Sequence, residues 1–278
     1  MHDFDFKKYL AEGRLLKEAK DNPKAIILAG APGAGKGYIL RGLDLGGMKV
    51  MNVDDIYINL LKQANVSLDL KNATPEERSQ QAIQMAAANK EFKGDIAATI
   101  EGKESFILDG TASSYNTTAK LKVELEEAGY DVFMLYVYTD LERSLAQNQS
   151  RFEKSGGQDR SLAPAIVMRT WKSVTQNLDK YADLFGFNFV AVANTLDDIE
   201  NISDLESIIK KYLTPFEPQN TKPKTPAQQK RSDDNKAKDA GEIKAMLNSD
   251  FVYDVIEKSI SKDEAQMRIE KFLNSWVK

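Results

Sequence analysis

Residues Gly30 to Lys36 read Gly-Ala-Pro-Gly-Ala-Gly-Lys and follow directly on the apolar run Ala25, Ile26, Ile27, Leu28, Ala29. Glycines at 30, 33 and 35 let consecutive backbone N–H groups face one concavity. A helix opening there adds its positive N-terminal end, so the segment is built to hold an anion. In a Gly-x4-Gly-Lys loop the lysine reaches the outer phosphates of a nucleoside triphosphate, which is the expected role of Lys36. The bland alternative is a glycine-rich turn that only joins strand to helix. Gly37 stands where Ser or Thr normally binds magnesium, so any functional account has to accommodate it.

A strand feeding such a loop calls for a sheet with helices packed on it. Five apolar runs of strand length occur at 24 to 29, 48 to 53, 104 to 108, 131 to 138 and 187 to 193, each followed by a segment of helical pattern. The unbroken apolar stretch Val132, Phe133, Met134, Leu135, Tyr136, Val137 predicts a strand covered on both faces, hence a parallel sheet in an α/β layered fold. Thr74, Pro75 and Glu77 predict a capped helix start. Gly129 predicts a helix stop, and the stretch from about 162 to 184 reads as one helix with Trp171 on its core stripe. An amphipathic helix is expected over residues 1–22, ending before Pro23.

Composition removes several chemistries. The chain of 278 residues is 42% hydrophobic, enough for one full core and a small appendage. Its net charge of −4 does not suggest broad electrostatic binding to nucleic acid. The absence of cysteine excludes disulfides and thiol catalysis, and a single histidine, His2, excludes a His-based triad. With no apolar run of membrane length and no signal-like start, the expected location is the cytoplasm, without membrane association.

The composition changes after Leu213. Residues 214–241, with four prolines and few apolar side chains, read as a flexible linker. Residues 242–278 read as a two-helix hairpin, with Ile243, Met246, Leu247, Val252, Val255 and Ile256 in one apolar stripe. That stripe fits docking to a protein partner or packing back on the parent domain, which leaves 23–213 as the main domain.

In open α/β sheets ligands bind outside the carboxyl ends of the strands. The second strand ends at Asn52, Val53, Asp54, Asp55, where a carboxylate could take the proton of a hydroxyl attacking a γ-phosphate. The alternative is that both acids cap the following helix. The third strand ends in Asp109-Gly110-Thr111, the Walker B pattern, which suits Asp109 to magnesium; a turn or cap role is the rival. Arg151 and Arg160 bracket a loop containing Gly156 and Gly157, with Arg169 and Lys172 further on. They fit a lid whose guanidinium groups grip phosphate oxygens in pairs, or solvent-facing charge.

The loop is similar to that of adenylate kinases, which also carry glycine at the Ser/Thr position. Those enzymes have Thr where this chain has Tyr38. A longer resemblance, over about residues 24 to 195, is to the zeta-toxin family of P-loop kinases, which phosphorylate sugar nucleotides. Asp54 falls where that family has its catalytic aspartate. Phe106 to Thr111 resembles its strand ending in acid-Gly-Thr, with Asp109 for the usual Glu, and Arg151 and Arg160 match its two arginines. The resemblance implies a three-layer P-loop fold with a five-stranded parallel sheet in the order 2-3-1-4-5.

The combined expectation is an ATP-dependent kinase acting on a small-molecule hydroxyl. ATP would lie on Gly30, Ala31, Pro32, Gly33, Ala34, Gly35, Lys36, Gly37 and Tyr38. Asp54, Lys36, Arg151 and Arg160 are the expected catalytic residues, and Asp109 is expected to hold Mg2+. The rival readings are a kinase of nucleotides or polynucleotide ends, and a non-catalytic nucleotide switch docking through its C-terminal hairpin.

Overall fold

The structure is a computed structural model that describes residues 22–70, 72–156, 159–160, 162–195, 210 and 225–274. The helix expected over 1–22 therefore lies outside the described residues, apart from Asn22. The chain runs β1 (Lys24–Ala29), α1 (Lys36–Arg41), β2 (Lys49–Met51), α2 (Val53–Gln63), α3 (Pro75–Glu101), β3 (Phe106–Asp109), α4 (Tyr115–Glu127), β4 (Asp131–Tyr138), α5 (Leu141–Lys154), α6 (Pro164–Thr175), α7 (Leu178–Phe185) and β5 (Phe189–Ala193). The five strands pair in the order β2-β3-β1-β4-β5, all in parallel.

All six residues of β1 and seven of the eight in β4 are buried, which is why these runs carry no polar alternation. The register sets Leu28 beside both Asp109 and Leu135, and Met51 beside Leu108. The carboxyl ends of β1, β2 and β3 therefore finish level, and the residues after them share one edge.

Local signals act as expected at several helix ends. Thr74 and Glu77 form a reciprocal capping box with Pro75 in the first turn of α3, and Gly129 follows α4 at φ 84°. The helix expected from 162 to 184 is instead two helices separated at Gln176 and Asn177. Asn177 is a weak helix former, and its amide donates to Ser113 O at 3.1 Å. Tyr181 Oη donates to Ala112 O at 2.6 Å, so the second segment swings onto the loop after β3.

Residues 214–224 of the expected linker lie outside the described residues, and from residue 225 on the structure corrects the sequence reading. Residues 226–241, expected as flexible linker, belong to the 22-residue helix α8 (Pro226–Leu247). Pro226, the fourth proline of that stretch, is not a breaker: it occupies the first turn behind a Thr225–Gln228 capping box. Two further helices follow, α9 (Phe251–Glu257) and α10 (Lys262–Leu273). Ala240, Ile243, Val255, Ala265, Ile269 and Phe272 are buried in the same core as the sheet.

Several contacts fasten this tail. Lys172 of α6 is nearly buried and donates to Asp239 at 2.6 Å and Glu242 at 2.7 Å. Ile260 N donates to Ala191 O at 2.8 Å, adding a parallel bridge at Val192 on the outer strand. The rings of Phe272 and Phe133 lie 4.9 Å apart. The tail thus closes the β5 edge, and much of the apolar stripe read as a docking face is used within the chain.

If the tail is part of one cooperative core, Ile269→Ala should destabilise the whole protein by about 2–4 kcal/mol, the usual cost of a large-to-small change at a buried site. Urea unfolding followed by tryptophan fluorescence and far-UV circular dichroism should show one shifted transition by both probes. A main transition left in place, with a separate early one, would mean that the tail folds independently.

Candidate active site

The phosphate loop is shaped by steric need. Gly30, Gly33 and Gly35 have φ of 152°, 76° and 81°, and a Cβ at Gly30 or Gly33 would stand 2.6 Å from Val137 O or 2.5 Å from Ser144 O. The loop carbonyls are tied outward. Ser144 Oγ donates to Pro32 O at 2.5 Å and Asn194 Nδ2 to Ala34 O at 2.8 Å. Gln147, with its amide turned so that both of its atoms are satisfied, donates to Gly33 O at 3.1 Å and accepts from Arg143 Nε at 3.0 Å. Lys36 Nζ donates to Gly30 O at 3.1 Å and Ala31 O at 3.4 Å. The N–H groups of Gly30 and Ala34 are bonded as well, to Thr111 O at 3.2 Å and Ala31 O at 3.0 Å, so the donors for the concavity come from the rest of the loop. α1 has no side-chain N-cap, so its opening N–H groups add to that supply.

Sequence reading had not singled out Ser144, Gln147 or Asn194. They lie on α5 and just past β5, carry no motif, and reach the loop only because β4 and β5 lie on that side of β1. Gly37 and Tyr38 are exposed on α1. A Cβ at Gly37 would meet only Arg41 Nη1, at 3.6 Å, so nothing steric demands glycine there. Lys262 Nζ of α10 lies 5.2 Å from the centre of the Tyr38 ring.

Asn52 and Asp109 follow from the register: Met51 pairs with Leu108, so the next residues stand side by side. Asn52 Nδ2 donates to Asp109 Oδ2 at 2.9 Å, while Asn52 Oδ1 accepts from Asp54 N at 2.8 Å. The helix cap is therefore Asn52, neither Asp54 nor Asp55. Asp54 forms an ion pair with Arg160, while Asp55 is exposed. α4 is capped by Ser114, which leaves Asp109 outside that role as well.

Charge is concentrated around Lys36. Burial holds its ammonium below the usual lysine range, reinforced by Arg151 and Arg160 and opposed by Asp109 and Asp54. Burial likewise raises the Asp109 carboxyl, with Asp54 and Asp55 adding to the rise and Lys36 and Asn52 countering it. Tyr57, buried one turn after Asp54, has its hydroxyl pKa raised mainly by burial, with Arg160 and Asp54 both close enough to act on it.

Of the expected clamp residues, Arg160 is only 16% exposed, whereas Arg151 is 57% exposed and pairs with Asp159 at 3.3 Å. Gly156 has φ 61°; Gly157 lies outside the described residues. Arg169 and Lys172 are turned to Asp239 on α8 and do not join the site. Among the described residues no group of three or more His, Cys, Asp or Glu could hold a metal. One carboxylate, Asp109, still fits magnesium, which commonly takes one or two carboxylates plus substrate phosphates and water. Among the described residues no helix is long and apolar enough to cross a membrane.

Known proteins provide an external reference. Among curated proteins none matches the chain. The structure is similar to the AvrRxo1-ORF1:AvrRxo1-ORF2 complex with sulphate ions (TM-score 0.50, 17% identity, 94% of this chain and 86% of that chain). It is also similar to the PezAT chromosomal toxin-antitoxin system of Streptococcus pneumoniae (TM-score 0.45, 16% identity, 87% and 97%). A gluconokinase from Sinorhizobium meliloti 1021 has a TM-score of 0.34, with 13% identity and coverage of 68% and 90%. At 17% identity the likeness to the first of these concerns the fold alone. The zeta toxin family model matches residues 8–203, well over half of the chain. The chain belongs to the zeta-toxin family.

Proposed function

We propose that this chain is an ATP-dependent phosphotransferase that moves the γ-phosphate to a hydroxyl of a small molecule. The observation that carries the reading is the convergence on Lys36 of Asp109, Arg151, Asp54 and Arg160, which come from separate parts of the chain, beside a loop whose Pro32 and Ala34 carbonyls are held by Ser144 and Asn194. The family points to a sugar nucleotide as acceptor, and the test below includes it.

In this reading residues 30–38 hold the ATP phosphates, with Lys36 on the outer ones. Asp54 accepts the proton of the acceptor hydroxyl as that oxygen bonds to the γ-phosphorus. The bond from the γ-phosphorus to the bridging oxygen breaks, and ADP leaves with its electron pair. Arg160 and Arg151 exchange their carboxylate partners for phosphate oxygens and neutralise charge in transit. Asp109 would hold magnesium, which supplies charge neutralisation at the phosphates when bound.

Three outcomes test the reading. Asp54→Asn should lower kcat by about 10²- to 10⁴-fold, the range of a lost general base, with ATP affinity kept within about threefold. The assay is label transfer from γ-labelled ATP to sugar nucleotides, nucleotides and 5′-hydroxyl oligonucleotides. Tight ATP binding by the wild type with no transfer to any acceptor favours the nucleotide-switch alternative.

The raised Asp109 pKa has a pH signature. In the folded protein Asp109 keeps its proton above its ordinary value of 3.8, where the unfolded chain has lost it. This residue's contribution to stability therefore falls as pH climbs from 3.8 through the elevated folded pKa. The stability of Asp109→Asn relative to wild type should accordingly rise with pH over that window, read by urea unfolding at stepped pH without nucleotide. Finally, Gly37→Ser has room for its side chain and should lower the magnesium concentration needed for half-maximal transfer by severalfold. An unchanged magnesium titration would place the ion away from that position.

A further inference from the structure

The side chain of Asn52 contacts the start of α2 and the end of β3 at once. Its Oδ1 accepts from Asp54 N at 2.8 Å, and its Nδ2 donates to Asp109 Oδ2 at 2.9 Å, across 57 residues of sequence. The amide orientation is forced, because a backbone N–H can only donate and an ionised carboxylate can only accept. The backbone is equally determined: β2 pairs with β3 at Met51 and Leu108, and Asn52 is the N-cap that turns the chain into α2. We infer that Asn52 is a positioning residue that ties the backbone of Asp54, at the start of α2, to the carboxylate of Asp109, while Arg160 holds the Asp54 carboxylate itself; this rests on the phosphotransfer reading of the site.

A cap alone does not account for these contacts. Capping uses only the side-chain oxygen, and Ser, Thr or Asp would serve. The second contact needs an NH2 group on the same short arm, which none of those residues has. Asp109 is the group that most needs it. Its carboxylate is disfavoured by burial and by the neighbouring Asp54 and Asp55, and the Asn52 amide and the Lys36 ammonium are the groups that favour its charged form. With the clamp, the first turn of α2 that carries Asp54 and the metal-side carboxylate on β3 are held in one register. A displacement of about 1 Å in such an arrangement can cost about 10²-fold in rate.

The test compares Asn52→Ser, which keeps the cap and loses the donor to Asp109, with Asn52→Ala, which loses both. Four quantities are measured on the full chain: the urea midpoint, metal-free ATP affinity, Mn2+ affinity of the ATP complex by electron paramagnetic resonance, and label transfer. For Asn52→Ser we expect an unchanged metal-free ATP affinity and a urea midpoint lowered only by the lost hydrogen bond to Asp109, less than in Asn52→Ala. Mn2+ should bind at least fivefold more weakly, and kcat should fall by about 30- to 100-fold with KM for ATP within threefold. Asn52→Ala should show the same losses together with a lower urea midpoint.

Wild-type kcat and Mn2+ affinity in Asn52→Ser would reduce Asn52 to a helix cap and overturn the inference. If the wild type transfers label to no acceptor, the phosphotransfer reading fails, and Mn2+ binding decides the positioning role by itself. Mn2+ binding to the wild-type ATP complex no tighter than to ATP alone would remove Asp109 as a metal residue and the inference with it.

Discussion

The site depends on how the carbonyl groups of the phosphate loop are held. A loop of glycines has no intrinsic reason to turn its N–H groups one way and its oxygens the other. Here Ser144 and Gln147 on α5 and Asn194 past β5 take the oxygens of Pro32, Gly33 and Ala34, and Lys36 takes those of Gly30 and Ala31. Asn194 is itself fixed, with its N–H on Tyr138 O at 2.8 Å and its carbonyl accepting from Thr139 Oγ1 at 2.9 Å. The buried Trp171 extends this support by donating to Thr139 O at 2.7 Å. A core side chain on α6 is thereby linked to the loop, and α5, which carries Arg151 at its far end, braces it directly. Hydrogen-bonded support of this kind keeps a binding geometry in place before the ligand arrives.

The same region carries an electrostatic cost. Lys36 and Asp109 are each pushed toward their neutral forms by burial. The two arginines add to one another's positive field at Lys36, and each is held by a carboxylate, Asp54 for Arg160 and Asp159 for Arg151. The Arg151 pair is largely exposed and contributes little to stability, on the order of 0–1 kcal/mol, so a phosphate can displace it readily. The Arg160 pair is more enclosed and ties Asp54 to the segment before α6. These are features of a site poised for an anion, and they explain why such groups sit together despite opposing the stability of the free protein.

Legibility in the sequence differed sharply between elements. Strands β1 and β4 could be read because a strand covered on both faces must be apolar throughout. The start of α3 could be read because its capping residues are adjacent and act locally. The break at Asn177 could not, since it depends on acceptors at Ser113 and Ala112 that lie more than 60 residues away in sequence. α8 was misread for a related reason. Over most of its length it faces solvent and lacks an apolar stripe, and the partner of its Asp239 and Glu242 is Lys172, on another helix. Composition signals disorder when a segment cannot bury itself. It cannot register a surface supplied by the rest of the chain.

The sequence by itself determined the phosphate loop, the α/β alternation and the residue types of Asp54, Asp109, Arg151 and Arg160 at strand ends and loop edges, because those depend on short-range sterics and on periodicity. Only the tertiary structure decided which of Asp54 and Asp55 turns inward and that Asn52 bridges to Asp109. It also decided that the loop carbonyls are tied from α5 and β5, and that the tail closes the sheet edge. Each of these depends on strand register and helix packing, which bring together groups that no local pattern connects.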